Sequence, residues 1–380
     1  MSAESGAVLF LTSAHPGGSG FIGAGESLSA ASLRDLVAAG HAVHVVCFAK
    51  AHQRANPEIV ALCASYRVFG QSTWQTMLGI LRGWRWGSLL APWFFTRSSP
   101  RNLDAVGRIL REGKFTRIWI DFPSSLGFAP RIKNLPIDYF VHDVVAQKIA
   151  RRAALAWLSG WVTATEQRLL RCCYQCHVLS EKDKALLLAA GYAGKVEVCP
   201  PQDIKAGIVD VERTAASIVG EFSSCDNLVF FGNMRRAENH WSLMHFLVFH
   251  FPKLRKACPD VRLWVLGLAP RRSLRWLARL IGGVEVVGAV DDPVPVYQAA
   301  SLCIAPLRYG AGVKIKVLQM LDAGATVVAT PVGAEGIASH ERLIVAESSE
   351  FVSAVQRALM KQACQAAPST AHAKHQGFEE

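Results

Sequence analysis

Nowhere in the 380 residues does an apolar run reach the roughly eighteen residues that a membrane-spanning helix needs, so any membrane contact is expected to be peripheral. The chain has no zinc-finger spacing and no aromatic RNA-binding motif. Its basic residues are scattered among folded elements, so no nucleic-acid partner is expected. The first strand is not followed by G-x-G-x-x-G, and no acidic residue closes the second strand, which excludes the dinucleotide fingerprint. Cysteine is present ten times but without framework spacing, and no cleavable signal pattern precedes it, so a reducing, cytoplasmic setting is expected. Cys173 and Cys176 form a C-x-x-C beside Cys172 with no second pair to complete a zinc site, and they read as small buried apolar residues.

Acid is scarce as well. Lys and Arg number 41 against 30 Asp and Glu, a net charge of +11, which points to an anionic partner: a nucleotide, a phosphorylated substrate or a membrane surface. The stretch from 70 to 100 has no acid at all. It mixes Trp74, Trp84, Trp86, Trp93, Phe94 and Phe95 with Arg82, Arg85 and Arg97. Such a segment suits either a lipid interface or a helical excursion packed on its own domain with arginines over aromatic faces.

What remains is regular alternation. A strand over Ala7–Thr12 leads into the loop Ser13–Gly20, then a helix with Leu28, Ala31, Leu33 and Leu36 on its apolar stripe, and a second strand from His41 to Phe48. Further strands are predicted at 117–121, 137–141, 176–179 and 195–199, with the longest helix over 146–173. His142 and Asp143 follow a strand directly, at the sheet edge where α/β proteins place their chemistry. A second α/β set starts at Asn227. Its strand ends in Gly232-Asn233-Met234-Arg235-Arg236, and a helix over 239–256 and strands at 261–266, 284–287 and 301–305 follow.

The last of these strands opens into Gly310-Ala311-Gly312, then a helix carrying Lys314, Lys316 and Gln319, a stop at Gly324 and another apolar strand. Strand, glycine loop and helix start make either an anion site, because unpaired N–H groups and the helix dipole favour negative charge, or an ordinary βαβ unit whose glycines only serve the turn. The expected fold class is α/β, with two Rossmann-like doubly wound domains facing an interdomain cleft. The domains are read as 1–202 on the acceptor side, a 203–226 linker, 227–361 for the nucleotide sugar, and a disordered tail at 362–380.

Several motifs carry a family resemblance: HPGG at 15–18, LVAAGHAVHVV at 36–46, VHDVV at 141–145, FFGNMRRAEN at 230–239, PDVRLWVLG at 259–267, VEVVGAVDD at 284–292, and APLRYGAGVKIKVLQMLDAGATVVATPVGAEGI at 305–337. In this order and spacing the chain resembles the retaining glycosyltransferases of the GT-B fold, group 1, family 4. The resemblance implies transfer of a sugar from a UDP- or GDP-sugar to a glycan or lipid-linked acceptor, with no metal and no other cofactor.

By the same resemblance, His142 contacts the donor sugar near the reacting carbon, and Gly17 and Gly18 meet the donor phosphate or the acceptor. Lys316 and Arg235 stabilise the departing diphosphate. Asn233, Arg236, Gly310, Ala311, Gly312 and Gln319 complete the donor site. Preorganised cations and helix N–H groups suit a departing diphosphate on physical grounds alone. Ala311 and Gln319 stand where the family commonly has glutamates. An amide still bonds a ribose hydroxyl but lacks the charge that strengthens the bond. Gln319 therefore also fits a second reading, a degenerate relative that binds a nucleotide or a partner enzyme.

Overall fold

The computed structural model describes residues 6–18, 24–50, 53–84, 90–152, 154–201, 213–222 and 226–366. Outside them lie Ser19 and Gly20 of the first loop, Arg85 and Trp86 of the Trp/Arg stretch, most of the 203–226 connection, and 367–380. The chain divides into two compact units. One is Met1–Asp210 with Tyr309–Ile315 and Glu335–Ala338, and the other is Val211–Arg308 with Lys316–Ala334 and Ser339–Glu380.

The first unit is built on a seven-stranded sheet of order β3-β2-β1-β4-β5-β6-β7, parallel throughout. The strands are β1 Ala7–Thr12, β2 Ala42–Cys47, β3 Ser65–Val68, β4 Arg117–Asp121, β5 Ile137–Val141, β6 Gln175–Val178 and β7 Lys195–Val198. Parallel sheets need cover on both faces, and the sequence supplies it by alternation. Leu9 and Leu11 of β1, Ile118 and Ile120 of β4, and Tyr139 and Val141 of β5 enter one core. Val8 and Phe10, Trp119 and Phe140 enter the other.

The stretch from 146 to 173 is not one helix. It is Val145–Ala150, a 3₁₀ turn at Ala156–Leu158, and Ser159–Leu170. Apolar spacing runs through the break because Ile149, Leu158, Val162 and Leu169 all serve the same core. Cys173 and Cys176 lie in that core too, as buried free thiols. The Trp/Arg stretch divides its residues between core and surface. Ser72 and Gln75 form a capping box that starts the helix Thr73–Gly83, which turns Gly79 and Gly83 toward Phe95. Phe94 and Phe95 are buried, while Trp74 and Trp84 are 66% and 64% exposed, with Met77 and Leu81 exposed between them.

The second unit carries a six-stranded parallel sheet of order β10-β9-β8-β11-β12-β13. Its strands are β8 Asn227–Phe231, β9 Arg262–Leu266, β10 Val284–Gly288, β11 Leu302–Ala305, β12 Val327–Ala329 and β13 Leu343–Val345. Leu228, Phe230, Leu263, Val265, Leu302 and Ile304 share a core with the helix Phe351–Ala366. That helix runs five residues past Lys361, where the sequence reading places the start of a disordered tail. The helix predicted over 239–256 is two, Ala237–Phe249 and Phe251–Ala257. Pro252 fits the first turn of the second, where its missing N–H is harmless, and would interrupt a continuous helix. Inside the region read as a linker, Thr214 caps a short helix, Ala215–Gly220, tied to Asp291 through the Ala215 N–H at 2.8 Å.

Candidate active site

In a parallel sheet the strands deliver their last residues to one edge, and the candidate residues sit there. His142 follows β5. Its Nε2 lies 2.7 Å from Oδ1 of Asp121, the last residue of the neighbouring β4. Phe122, next in the chain, stacks on the imidazole at 4.2 Å and 7°. It does so at φ 67°, a conformation that costs a bulky L-residue about 1–3 kcal/mol.

Gly17, at φ 56°, donates its N–H to Glu26 O at 2.8 Å, and Gly18 donates to His15 O at 3.1 Å. The HPGG turn is thereby fixed to the first turn of the helix Ala24–Ala38. The same turn brings Gly25 beside Phe122 and His142: a Cβ on Gly25 would stand 2.9 Å from the Phe122 ring. Gly17, Gly18 and His142 thus gather around one helix start.

The glycine loop of the first unit lies beside them. Gly310 and Gly312 take φ of 129° and 73°, which glycine adopts without strain. A side chain at Gly312 would run into the Asp143 carboxylate. Gly310 O accepts from an Arg151 Nη at 2.8 Å, and Ala311 O and Gly312 O accept from Lys314 Nζ at 3.1 and 2.6 Å. Lys314 precedes the helix instead of riding on it, since the helix is Ile315–Asp322. Burial pulls its ammonium down to about 8. Glu335 gathers the surplus cations. Its carboxylate takes Arg151 in a two-point pair at 2.6 Å, contacts Lys182, and lies 3.7 Å from Lys314.

In the second unit, β8 and β11 end beside each other. Lys316, in the first turn of Ile315–Asp322, reaches Asn239 Oδ1 at 2.9 Å and sits 4.6 Å above the Phe230 ring. Asn239 also donates to Asn233 O at 3.0 Å, and Asn233 Oδ1 accepts the Arg235 N–H at 2.9 Å. Lys316 and Asn233 are therefore linked through one amide. The side chains of Arg235 and Arg236 are exposed, and Gln319 is half-buried one turn beyond Lys316. The loop after β8 comes so close to the end of β9 that a Cβ on Gly267 would overlap the Gly232 backbone. The same helix ends where expected: Gly324 takes φ 83° and Ala325 N bonds back to Met320 O, a Schellman stop.

Sequence reasoning misses Asp121, Glu335, Arg151 and Asn239 as site residues. Asn239 and Glu335 fall inside the quoted motifs. Asp121 is signalled only by being a carboxylate directly after the apolar run at 118–120 of its strand.

Two family models match the chain: Glycosyltransferase Family 4 over residues 30–201 and Glycosyl transferases group 1 over 225–361. Among solved structures, sucrose-phosphate synthase from Thermosynechococcus elongatus superposes with a TM-score of 0.67 at 18% identity, covering 94% of this chain and 90% of that one. Anabaena HepE, solved in complex with UDP, gives 0.62 at 16%, with coverage of 94% and 90%. WaaG, a glycosyltransferase involved in lipopolysaccharide biosynthesis, gives 0.60 at 17%, with coverage of 94% and 91%. A curated relative, an uncharacterized 44.6 kDa protein in the cps region of Klebsiella pneumoniae, is 28% identical over 129 residues, 32% of this chain and 33% of its own length. The chain thus spans about a third of that relative. With glycosyltransferase models matching both halves in tandem and two parallel α/β sheets of the same architecture as these neighbours, the chain belongs to the group 1 glycosyltransferases of the GT-B fold.

Proposed function

We propose that this protein transfers a hexose from a UDP- or GDP-sugar to a glycan, polysaccharide precursor or glycolipid, with retention and without a metal. The observation that carries the reading is Lys316. It is a cation at a helix start, held by Asn239 beside the glycine-bearing turn Gly232–Arg236. A diphosphate leaving a sugar gains negative charge in the transition state, and a fixed ammonium with helix N–H groups stabilises that charge more than the ground state. Arg235 and Arg236 supply further positive charge beside Asn233, and Gln319 offers an amide to the ribose. In this reading Gly310, Ala311 and Gly312 meet the donor through backbone N–H groups, and Gly17 and Gly18 meet its phosphate or the acceptor. His142 meets the sugar. HepE has been solved with UDP and with UDP and glucose, which supports a nucleotide-sugar donor.

The acceptor is proposed to be lipid-linked and met at the cytoplasmic face of a membrane. The exposed Trp74, Met77, Leu81 and Trp84 recur at helical spacing on one side of Thr73–Gly83, in a stretch with no acid, which supports an interfacial helix. Among the described residues no helix is long and apolar enough to cross a membrane.

The test is a panel of UDP- and GDP-sugars. One of them is expected to raise the unfolding temperature and to be consumed when acceptor is present; protection by none would reject the reading. Robust turnover would reject the degenerate-binder alternative that Gln319 raises.

A further inference from the structure

Among the described residues, one ring nitrogen of His142 has a hydrogen-bond partner and the other has none. Asp121 is completely buried, and one of its oxygens faces His142 Nε2 at 2.7 Å. The other accepts from Ser29 Oγ at 2.5 Å and lies 3.2 Å from Thr12 Oγ1. Ser29 thus fixes the carboxylate, which in turn faces the ring, while the shorter contact of the Thr12 hydroxyl is to Ala14 O at 2.8 Å. A neutral imidazole whose Nε2 donates to a carboxylate at this distance has its lone pair on Nδ1. Nδ1 is buried and has no hydrogen-bond partner among the described residues. On its side stands Gly25, whose ideal Cβ would be 3.7 Å away. Phe122, at its left-handed φ, covers the face of the ring and restrains its tilt.

We propose that Asp121 is the positioning residue of this site, and that it locks the His142 imidazole as an Nε2–H tautomer whose Nδ1 accepts a hydrogen bond from a hydroxyl of the bound sugar. Ser29 braces Asp121 for that task. The substrate half of the proposal rests on the glycosyl-transfer reading above. The tautomer half does not.

The experiment has two arms. Long-range nitrogen–proton NMR of the His142 ring reports its tautomer with no substrate present. Wild type is expected as Nε2–H alone, and both Asp121→Asn and Asp121→Ala as mixtures. The Asn variant keeps the shape of the side chain, so it decides the point if the Ala variant fails to fold. In the second arm, Asp121→Asn is expected to lower kcat on the order of a hundredfold while the donor KM moves much less, as for a misplaced reacting group. Added to His142→Ala, it should cost nothing further, because the two residues act as one unit.

An Nδ1–H tautomer in the wild type, an unchanged tautomer in both variants, or a kcat loss that adds to that of His142→Ala would overturn the proposal. Should the wild type consume no nucleotide sugar, the glycosyl-transfer reading fails, and with it the substrate half. The NMR arm then still decides whether Asp121 sets the tautomer.

Discussion

Phe122 holds a φ of 67° and a ring stacked on His142, two features with opposite effects on stability. Glycine at this position would release strain of about 1–3 kcal/mol and lose a ring contact of about 0.5–1.5 kcal/mol. Alanine would lose the contact and keep the strain. Phe122→Gly is therefore expected to be more stable than Phe122→Ala by about 1 kcal/mol in urea titrations, with both slower than wild type in turnover. Equal stabilities would show that the backbone relaxes when the ring is removed. Lys316 poses a different question, because its charge serves the proposed chemistry more than the fold. Lys316→Ala is expected to lower kcat on the order of 10²- to 10³-fold with a nearly unchanged unfolding temperature, since Asn239 keeps its bond to Asn233 O. An unchanged rate would remove Lys316 from the site. The glycines at 310 and 312 are legible in sequence because a positive φ leaves few residue choices. Asp121 is not, since its partner His142 comes 21 positions later and meets it only once β4 and β5 are neighbours.

The helix Val145–Ala150 begins three residues after His142, and Val144 gives it no side-chain cap. Glu166, from the helix Ser159–Leu170, does so instead, accepting the N–H groups of Val145 and Ala146 at 3.0 and 3.1 Å. Burial pushes its carboxyl from 4.5 up to about 7, with those two bonds opposing the shift. The native state therefore holds this proton more tightly than the unfolded chain. The stability it contributes is full below about 4.5, is lost as pH rises through about 7, and changes no further above that. Relative to Glu166→Gln, wild-type stability is expected to fall by on the order of 3 kcal/mol between pH ~5 and ~8 in denaturant titrations. A gap that stays constant across that range would mean the group is already ionised at the acid end. Strands such as Ala7–Thr12 and Ile137–Val141 are legible because nearly every residue in them is apolar and buried. The edge strands Ser65–Val68 and Leu343–Val345 are not: with four and three residues, half in solvent, they leave no pattern to read.

At the scale of the whole molecule, a net charge of +11 and the exposed apolar face of the helix Thr73–Gly83 bear on the same question. Charge alone would draw the protein to any anionic surface and would be screened by salt. The apolar face alone would bind neutral and anionic lipid alike. Together they predict binding to anionic vesicles that falls, but does not vanish, as salt approaches about 1 M, where the screening length is about 3 Å. Replacing Trp74 and Trp84 by serine should remove the salt-resistant part. Both rings stand largely in solvent, so the pair is expected to weaken partitioning roughly tenfold or more while leaving the unfolding temperature within about 2 °C of wild type. Vesicle sedimentation across a salt series, with the double variant alongside, separates the two contributions. If the variant binds as the wild type does, the Trp face takes no part in membrane contact. If neither protein binds anionic vesicles at low salt, the membrane reading of this helix fails.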